Sequence, residues 1–397
     1  MLMNYIHAFW VGGLICALVQ ILLDKTRLMP GRVMVLLVCT GSVLSALHLY
    51  EPLVDYAGAG ASVPLIGFGH LLFQGVKEEM EQVGRLRTME EWTKTAEDMM
   101  RAGTLFVLLT GGEPLLYPHF RELYQKLREL GMIITINTNG TLIDEAWADF
   151  FAENKPRRIN ITLYGASNET YERLCHYPGG FDKAVNGIRL LRERNIDVKV
   201  NGSLAKANVD DRMKIIELGE SLDAPVRIDT YMYPSVRERN HAYNNQARLD
   251  PEMAAKARVE VLQREMGEEV FAQYRKIQLD EAENTPEGEA VPGQMACRAG
   301  KSSFVVNWQG EMRSCVVLDK PSIPLRDVEF EKAWELTKKG TESLRISARC
   351  SSCKLRKVCN TCVAAAIAET GKADGVPEYL CRYTEATVRY LKETSKK

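Results

Sequence analysis

The first 23 residues of the chain carry no charged side chain, and positions 6–23 form a largely apolar run of 18. A helix crossing a bilayer core takes about 20 such residues. A second uncharged run occupies 33–50, and a third, 56–76, is diluted by Pro64 and five glycines, which lower both hydrophobicity and helix stability. A cleaved signal peptide fits poorly, because no basic segment precedes the first run and a second apolar run follows. Residues 1–76 contain only six charges, namely Asp24, Lys25, Arg27, Arg32, Glu51 and Asp55. The sequence therefore predicts two or three transmembrane helices. Lys25, Arg27 and Arg32 mark the first loop as cytoplasmic. Three spans would then place Lys77 and all that follows in the cytosol, whereas two would place it outside or leave the third run at the membrane surface. Glu51 and Asp55 are four apart and share a helix face. They suit either an intramembrane acidic site or an interfacial turn broken by Pro52.

From about residue 80 the pattern becomes that of a soluble enzyme. Across the whole chain Lys+Arg (51) and Asp+Glu (52) nearly cancel, so no global field recruits nucleic acid. Short apolar runs at 105–110, 133–137, 158–163, 198–204 and 226–231 alternate with amphipathic stretches such as 119–130 and 181–194. Strands separated by helices of this length predict βαβ units and a parallel sheet, an α/β fold whose ligands bind at the carboxyl ends of the strands. Three of those ends are polar. The first runs into Gly111-Gly112-Glu113-Pro114, the second into Thr138-Asn139-Gly140, the third into Tyr164-Gly165-Ala166-Ser167. Two glycines permit a positive φ and let backbone approach a ligand. Glu113 offers a carboxylate suited to an ammonium, and Pro114 stiffens the exit.

Seven of the ten cysteines fall after residue 296: Cys297, Cys315, Cys350-x2-Cys353-x5-Cys359-x2-Cys362 and Cys381. Thiolates are soft ligands that suit iron–sulfur clusters and zinc. A structural zinc ribbon on Cys350, Cys353, Cys359 and Cys362 is one reading, but it leaves three cysteines unused. Cys16 and Cys39 read as small hydrophobes within the apolar runs, and Cys175 stands alone.

Three resemblances follow from these motifs. NYIHAFWVGGLICALVQILLDKTRLMPGRVMVLLV, with LYEPLVDYAGAGASVPLIGFGHLLFQGVKE, resembles the stage V sporulation protein A membrane proteins of the AE type over residues 3–78. That resemblance implies a part in moving dipicolinic acid, and a further hydrophobic hairpin that is missing here. LLTGGEPLLYPHF, INTNGTLI and INITLYGASNETYERL resemble the radical S-adenosylmethionine (SAM) family over residues 80–235. This implies a partial (β/α)6 barrel, SAM bound through Gly111, Gly112, Glu113 and Pro114, and a SAM contact at Thr162. The seven late cysteines resemble the SPASM domain of peptide-modifying radical SAM enzymes. By that resemblance Cys350, Cys353, Cys359 and Cys381 hold one auxiliary 4Fe–4S cluster, and Cys297, Cys315 and Cys362 supply three ligands of a second. The spacing of the last close pair, two residues rather than three, departs from the family pattern, and no eighth cysteine lies between Cys175 and Cys297.

One element the radical SAM resemblance requires is absent. The SAM-binding cluster of that family sits on a CxxxCxxC loop after the first barrel strand, yet no cysteine lies between Cys39 and Cys175. The chain thus reads as two truncated genes joined near residues 75–79. The expected organisation is a membrane segment at 1–78, an incomplete barrel at 80–235, a helical linker region at 236–296, a SPASM domain at 297–385 and a basic tail at 386–397. The leading reading is a multi-pass cell-membrane protein with a cytoplasmic iron–sulfur part, unable to cleave SAM unaided, whose partners are a peptide substrate and other membrane proteins of the sporulation family. The alternatives are a dipicolinic acid transport component with a passenger domain, and a noncatalytic cluster-binding module.

Overall fold

The computed structural model describes residues 2–26, 30–47, 49–83, 87–232, 247–293, 295 and 297–394. Arg27 of the first loop, residues 236–246 of the expected linker region and residues 395–397 of the tail lie outside them. The chain forms two compact units, Met1–Leu86 and Arg87–Lys397.

In the first unit, α1 (Leu2–Lys25) is long and apolar enough to cross a membrane. Helix α2 (Pro30–Ala46) ends in a sharp bend before α3 (Glu51–Ala57). The third uncharged run, expected as one span, is instead divided. Gly58 breaks it at φ +54, a short α4 (Ala59–Ser62) follows, and α5 (Leu65–Val83) begins after Pro64. The physical reason is the composition already noted: a glycine free to take positive φ and a proline without an amide donor. The apolar part of α5 spans only Leu65–Gln74, short of a bilayer core.

Glycine lets these helices touch backbone to backbone. A Cβ on Gly69 of α5 would stand 2.0 Å from the Val38 carbonyl oxygen of α2, and one on Gly41 of α2 would stand 1.9 Å from that of Ile66. Gly60 is equally close to Ala8 of α1. Apolar helices that gain little from the hydrophobic effect associate through such small-residue crossings. Gly69→Leu is therefore expected to open the α2–α5 contact, read as faster cleavage of the N-terminal unit by a non-specific protease in detergent. Gly13→Leu, at a position with nothing within 4 Å of the added carbon, leaves that rate unchanged.

The second unit opens with α6 (Met89–Arg101), fastened by a capping box between Thr88 and Glu91. Then come β1 (Phe106–Leu109), α7 (Phe120–Glu129), β2 (Ile133–Thr138), α8 (Glu145–Glu153), β3 (Arg158–Leu163), α9 (Asn168–Cys175), α10 (Gly180–Glu193), β4 (Val198–Ser203), α11 (Arg212–Ser221) and β5 (Val226–Asp229). The five strands are parallel and ordered β1-β2-β3-β4-β5. Right-handed crossovers in a sheet that never reverses its order put every helix on one face. Ile134, Ile136, Ile159, Ile161, Leu163, Val198 and Val200 are buried on that face against aromatic and aliphatic side chains of the helices. The opposite face is left for a site. At the β1 edge of the described sheet, Phe106 and Leu108 are exposed.

Helix α12 (Pro251–Asn284) takes up much of the helical linker region expected at 236–296, bending at Gly267, and packs along α16 (Glu378–Glu393). That helix takes up most of the expected basic tail. Between them lie a three-stranded antiparallel sheet, β6 (Val305–Val306), β7 (Glu311–Arg313) and β8 (Ser322–Pro324), and helices α13 (Phe330–Glu342), α14 (Ala348–Ser352) and α15 (Val363–Thr370).

Candidate functional site

Beyond Phe106, Leu108 and Ile133 on its β1 side, the open face of the parallel sheet is polar. Strand residues alternate between faces, so Thr135 and Asn137 of β2, Asn160 and Thr162 of β3, and Lys199, Asn201 and Ser203 of β4 share it, all half-buried. Asn160 donates to the Asn137 side-chain oxygen at 2.7 Å, and Thr162 lies in register with Asn201. Of these only Thr162 was expected as a site residue. The alternation of small polar with β-branched residues in the three strands is the signal that would have found the others.

At the carboxyl rim, Gly111 and Gly112 are exposed, and a Cβ on either would meet nothing within 4 Å. Neither is among the glycines with positive φ. The pair provides room rather than an unusual backbone turn. Pro114 starts a single 3-10 turn, Pro114–Leu116, that Glu113 caps by accepting from the Leu115 amide at 3.2 Å. The Glu113 carboxylate also accepts from the Thr138 hydroxyl at 2.7 Å and the Asn139 amide at 2.8 Å. It bolts the end of β1 to the end of β2, and three of its roughly four lone-pair positions are already used. A ligand ammonium would thus meet a carboxylate mostly committed to the fold, beside the open glycine backbone. Thr138 and Asn139 are the positioning residues that sequence reasoning left out. Gly140 completes this turn at φ +74, where no β-branched side chain would sit.

The neighbouring rim loops are equally tied. Asn208, almost fully buried, donates to the carbonyls of Tyr164 and Ser203 and accepts from the Ala205 amide. Asp211 accepts from the Ala166 amide and the Thr170 hydroxyl. Burial pushes the Tyr164 phenol up, with Cys175 and Glu113 adding to it.

The second constellation lies in the C-terminal part. Cys350, Cys353, Cys359 and Cys381 line one cavity, with Arg349, Arg356, Thr361 and Thr384. Cys350 comes from α14, Cys353 and Cys359 from the loop after it, and Cys381 from the first turns of α16. Burial pushes the Cys350 and Cys359 thiols up and raises Cys381 to about 11, with charge on the neighbouring thiols adding in each case. The Leu355 amide donates to Cys353 Sγ at 3.4 Å. Among the described residues no three His, Cys, Asp or Glu side chains converge as a single metal ion would require. The four thiols border one cavity.

Cys362 does not line this cavity. It caps α15, its sulfur accepting from the Ala365 amide at 3.3 Å, and packs with Cys315 against Met295, Leu318, Val363 and Ala364. The Val317 amide donates to Cys315 Sγ at 3.5 Å. Cys297 is exposed. Amides directed at sulfur stabilise thiolate character, and here they reach Cys315, Cys353, Cys359 and Cys362.

Residues 4–112 match the family model of the SpoVAC/SpoVAEB sporulation membrane proteins, and residues 69–219 match that of the radical SAM superfamily. The chain carries a radical SAM domain behind a sporulation membrane segment. The two matches overlap over 69–112, the stretch in which the sequence changes character. The chain is 24% identical to an AdoMet-dependent heme synthase of Methanosarcina barkeri, over 75% of this chain and 88% of that protein. It is 27% identical to a PqqA peptide cyclase of Rhodopseudomonas palustris, over 44% and 46%. Its fold is that of the solved structure described as native anSMEcpe with bound AdoMet, at a TM-score of 0.55 and 19% identity, covering 79% of this chain and 91% of that one.

Proposed function

We propose that the protein is a membrane-tethered iron–sulfur protein of the radical SAM/SPASM type, related to peptide-modifying maturases, that does not cleave SAM unaided. The observation that carries the first part is the single cavity lined by Cys350, Cys353, Cys359 and Cys381. Four thiols around one space, three from the stretch 350–359 and one from α16, suit an auxiliary 4Fe–4S cluster better than the zinc ribbon, whose fourth ligand would be Cys362. Cys297, Cys315 and Cys362 are the candidate ligands of a second cluster. A cluster here would supply a one-electron redox centre; the chain's part is to hold it, to shield it and to direct amides at its sulfurs.

At the other site, Gly111, Gly112, Glu113 and Pro114 would hold the amino-acid end of SAM, and Thr162 on the open face would contact it. The donor set for the cluster that activates SAM does not fit, because residues 40–174 contain no cysteine. No step through that cluster is derived for this chain. The PqqA relative supports a peptide as substrate class. The heme synthase relative, matched over three quarters of this chain, favours a tetrapyrrole as the second reading.

Full-length protein purified anaerobically from membranes is expected to hold iron and acid-labile sulfide for one or two clusters. Stoichiometric zinc without sulfide would replace this reading with the ribbon. Topology is tested separately. Reporters after Lys77 and near Gly58 should read cytoplasmic and external, because the basic residues of the first loop stay inside and reduced clusters need a reducing compartment. An external signal after Lys77 would overturn the return of the chain through the broken third run and, with it, the cytoplasmic cluster.

A further inference from the structure

Helices α12 and α16 border a cavity of their own beside the thiols. Arg258 and Tyr274 of α12 line it, with Leu380, Tyr383 and Thr384 of α16. Burial opposes the charge of Arg258, whose guanidinium donates to the Tyr274 and Tyr383 hydroxyls. Tyr383 is itself buried, and its hydroxyl is also bonded to that of Thr230 at 2.8 Å. Among the described residues no Asp or Glu pairs with Arg258. Acids of its own helix are engaged elsewhere: Glu260 holds Arg212 at 2.6 Å, Glu281 holds Lys357 at 2.8 Å, and Glu252 holds Arg389. Arg248, also packed on tyrosines, does have a carboxylate partner, Glu369 at 2.6 Å.

A cation taken into a protein without a countercharge is costly, and an apolar side chain at 258 would fill the α12–α16 interface without that cost. The two phenols accept hydrogen bonds but bring no negative charge. The thiol cavity adjoins this one. Leu380 and Thr384 line both, and Val358 and Asn360, on either side of Cys359 in the chain, line the Arg258 side. The Thr384 side chain is hydrogen-bonded to Cys359. Thiols that keep their protons supply no anion. Four thiolates around a 4Fe–4S core leave it net negative, and reduction adds one more negative charge. The cations on the thiol cavity itself serve less well. Arg349 is neutralised by Glu378 at 2.7 Å. Arg356 is bound to the carbonyls of Pro286 and Cys353 at a solvent-exposed point, where water screens its charge.

We propose that Arg258 is the internal countercharge of the cluster held by Cys350, Cys353, Cys359 and Cys381, acting across Thr384 without ligating iron. Its charge favours the reduced, more negative cluster and so raises the reduction potential. At a fixed potential, removing one such charge lowers the reduced-to-oxidised ratio on the order of tenfold. The proposal rests on the reading of the thiol cavity as a cluster site.

The test uses the full chain loaded anaerobically with iron and sulfide, in a Cys297→Ala, Cys315→Ala background that leaves the second candidate group a single thiol. Iron and sulfide are counted first, and the cluster is then titrated with dithionite while the electron paramagnetic resonance signal of its reduced form is followed. Arg258→Met should load but need a lower potential to reach the same signal, and Arg258→Lys, which keeps the charge, should restore most of the shift. If Arg258→Met fails to load, loading of Arg258→Lys with the parent potential supports the countercharge, and failure of both overturns it in favour of a packing role. A parent chain without iron and sulfide would refute the cluster reading and the proposal with it. A loaded Arg258→Met with the parent potential, or a loaded Arg258→Lys shifted as far as Arg258→Met, would overturn the proposal alone.

Discussion

Full-length protein, loaded anaerobically with iron and sulfide and incubated with SAM and dithionite, will release 5′-deoxyadenosine only at background. Reductive cleavage requires SAM to chelate an iron that has a vacant position while an electron enters at that contact. Three thiolates on one short loop hold that iron in the family this domain belongs to, and the chain has no cysteine between Cys39 and Cys175. No single substitution restores three ligands. Glu113 does not compensate, because its carboxylate is engaged by Thr138, Asn139 and Leu115, so weak SAM binding is expected as well. The late cysteines lie on a separate set of elements, with Cys350, Cys353, Cys359 and Cys381 around their own cavity. Replacing residues 1–79 by a strand and CxxxCxxC loop from a related enzyme is expected to restore cleavage. The added strand would pair with β1, the end strand of the described sheet, and would help cover Phe106 and Leu108 on the open face. Robust 5′-deoxyadenosine from the unmodified chain, lost in Glu113→Ala, would show that another cluster serves SAM and that this reading is wrong.

The parallel sheet was legible in the sequence because its strands carry apolar, mostly β-branched residues at every other position, and the first three close in polar turns. The run at 158–163 coincides with β3, and that at 133–137 stops one residue short of the end of β2. What could not be read depends on contacts between segments. The bond from Thr138 to Glu113 spans 25 positions and exists only because β1 and β2 lie in parallel register. The pairing of Ser45 with His70 spans 25 as well and follows from the glycine crossing of α2 and α5. In the third apolar run the breakers were visible, but hydropathy averages over Gly58 and Pro64 and so suggests one span where three helices form. In 281–284 the local composition suggests a linker, yet α12 continues because it packs along α16.

Replacing Cys353 and Cys359 together by Ala is expected to remove the iron and sulfide of the cluster they share, about half or nearly all of that bound by the full chain, whereas Cys175→Ala should remove none. The two cysteines face the same cavity from the loop after α14, so the double variant leaves only Cys350 and Cys381 there. Two thiolates cannot hold a four-iron core against loss to solvent chelators, while the second candidate group, Cys297, Cys315 and Cys362, retains whatever it binds. Iron that falls by about half would therefore count two clusters, and iron that falls to near zero would count one. Loading should also rise with pH. Burial holds the Cys350, Cys359 and Cys381 thiols above their ordinary range, so they are protonated near neutrality and ligation has to displace those protons. A double variant that keeps its full iron and sulfide, or loading that is greatest in acid, would mean that the cavity beside α16 is not where the cluster sits.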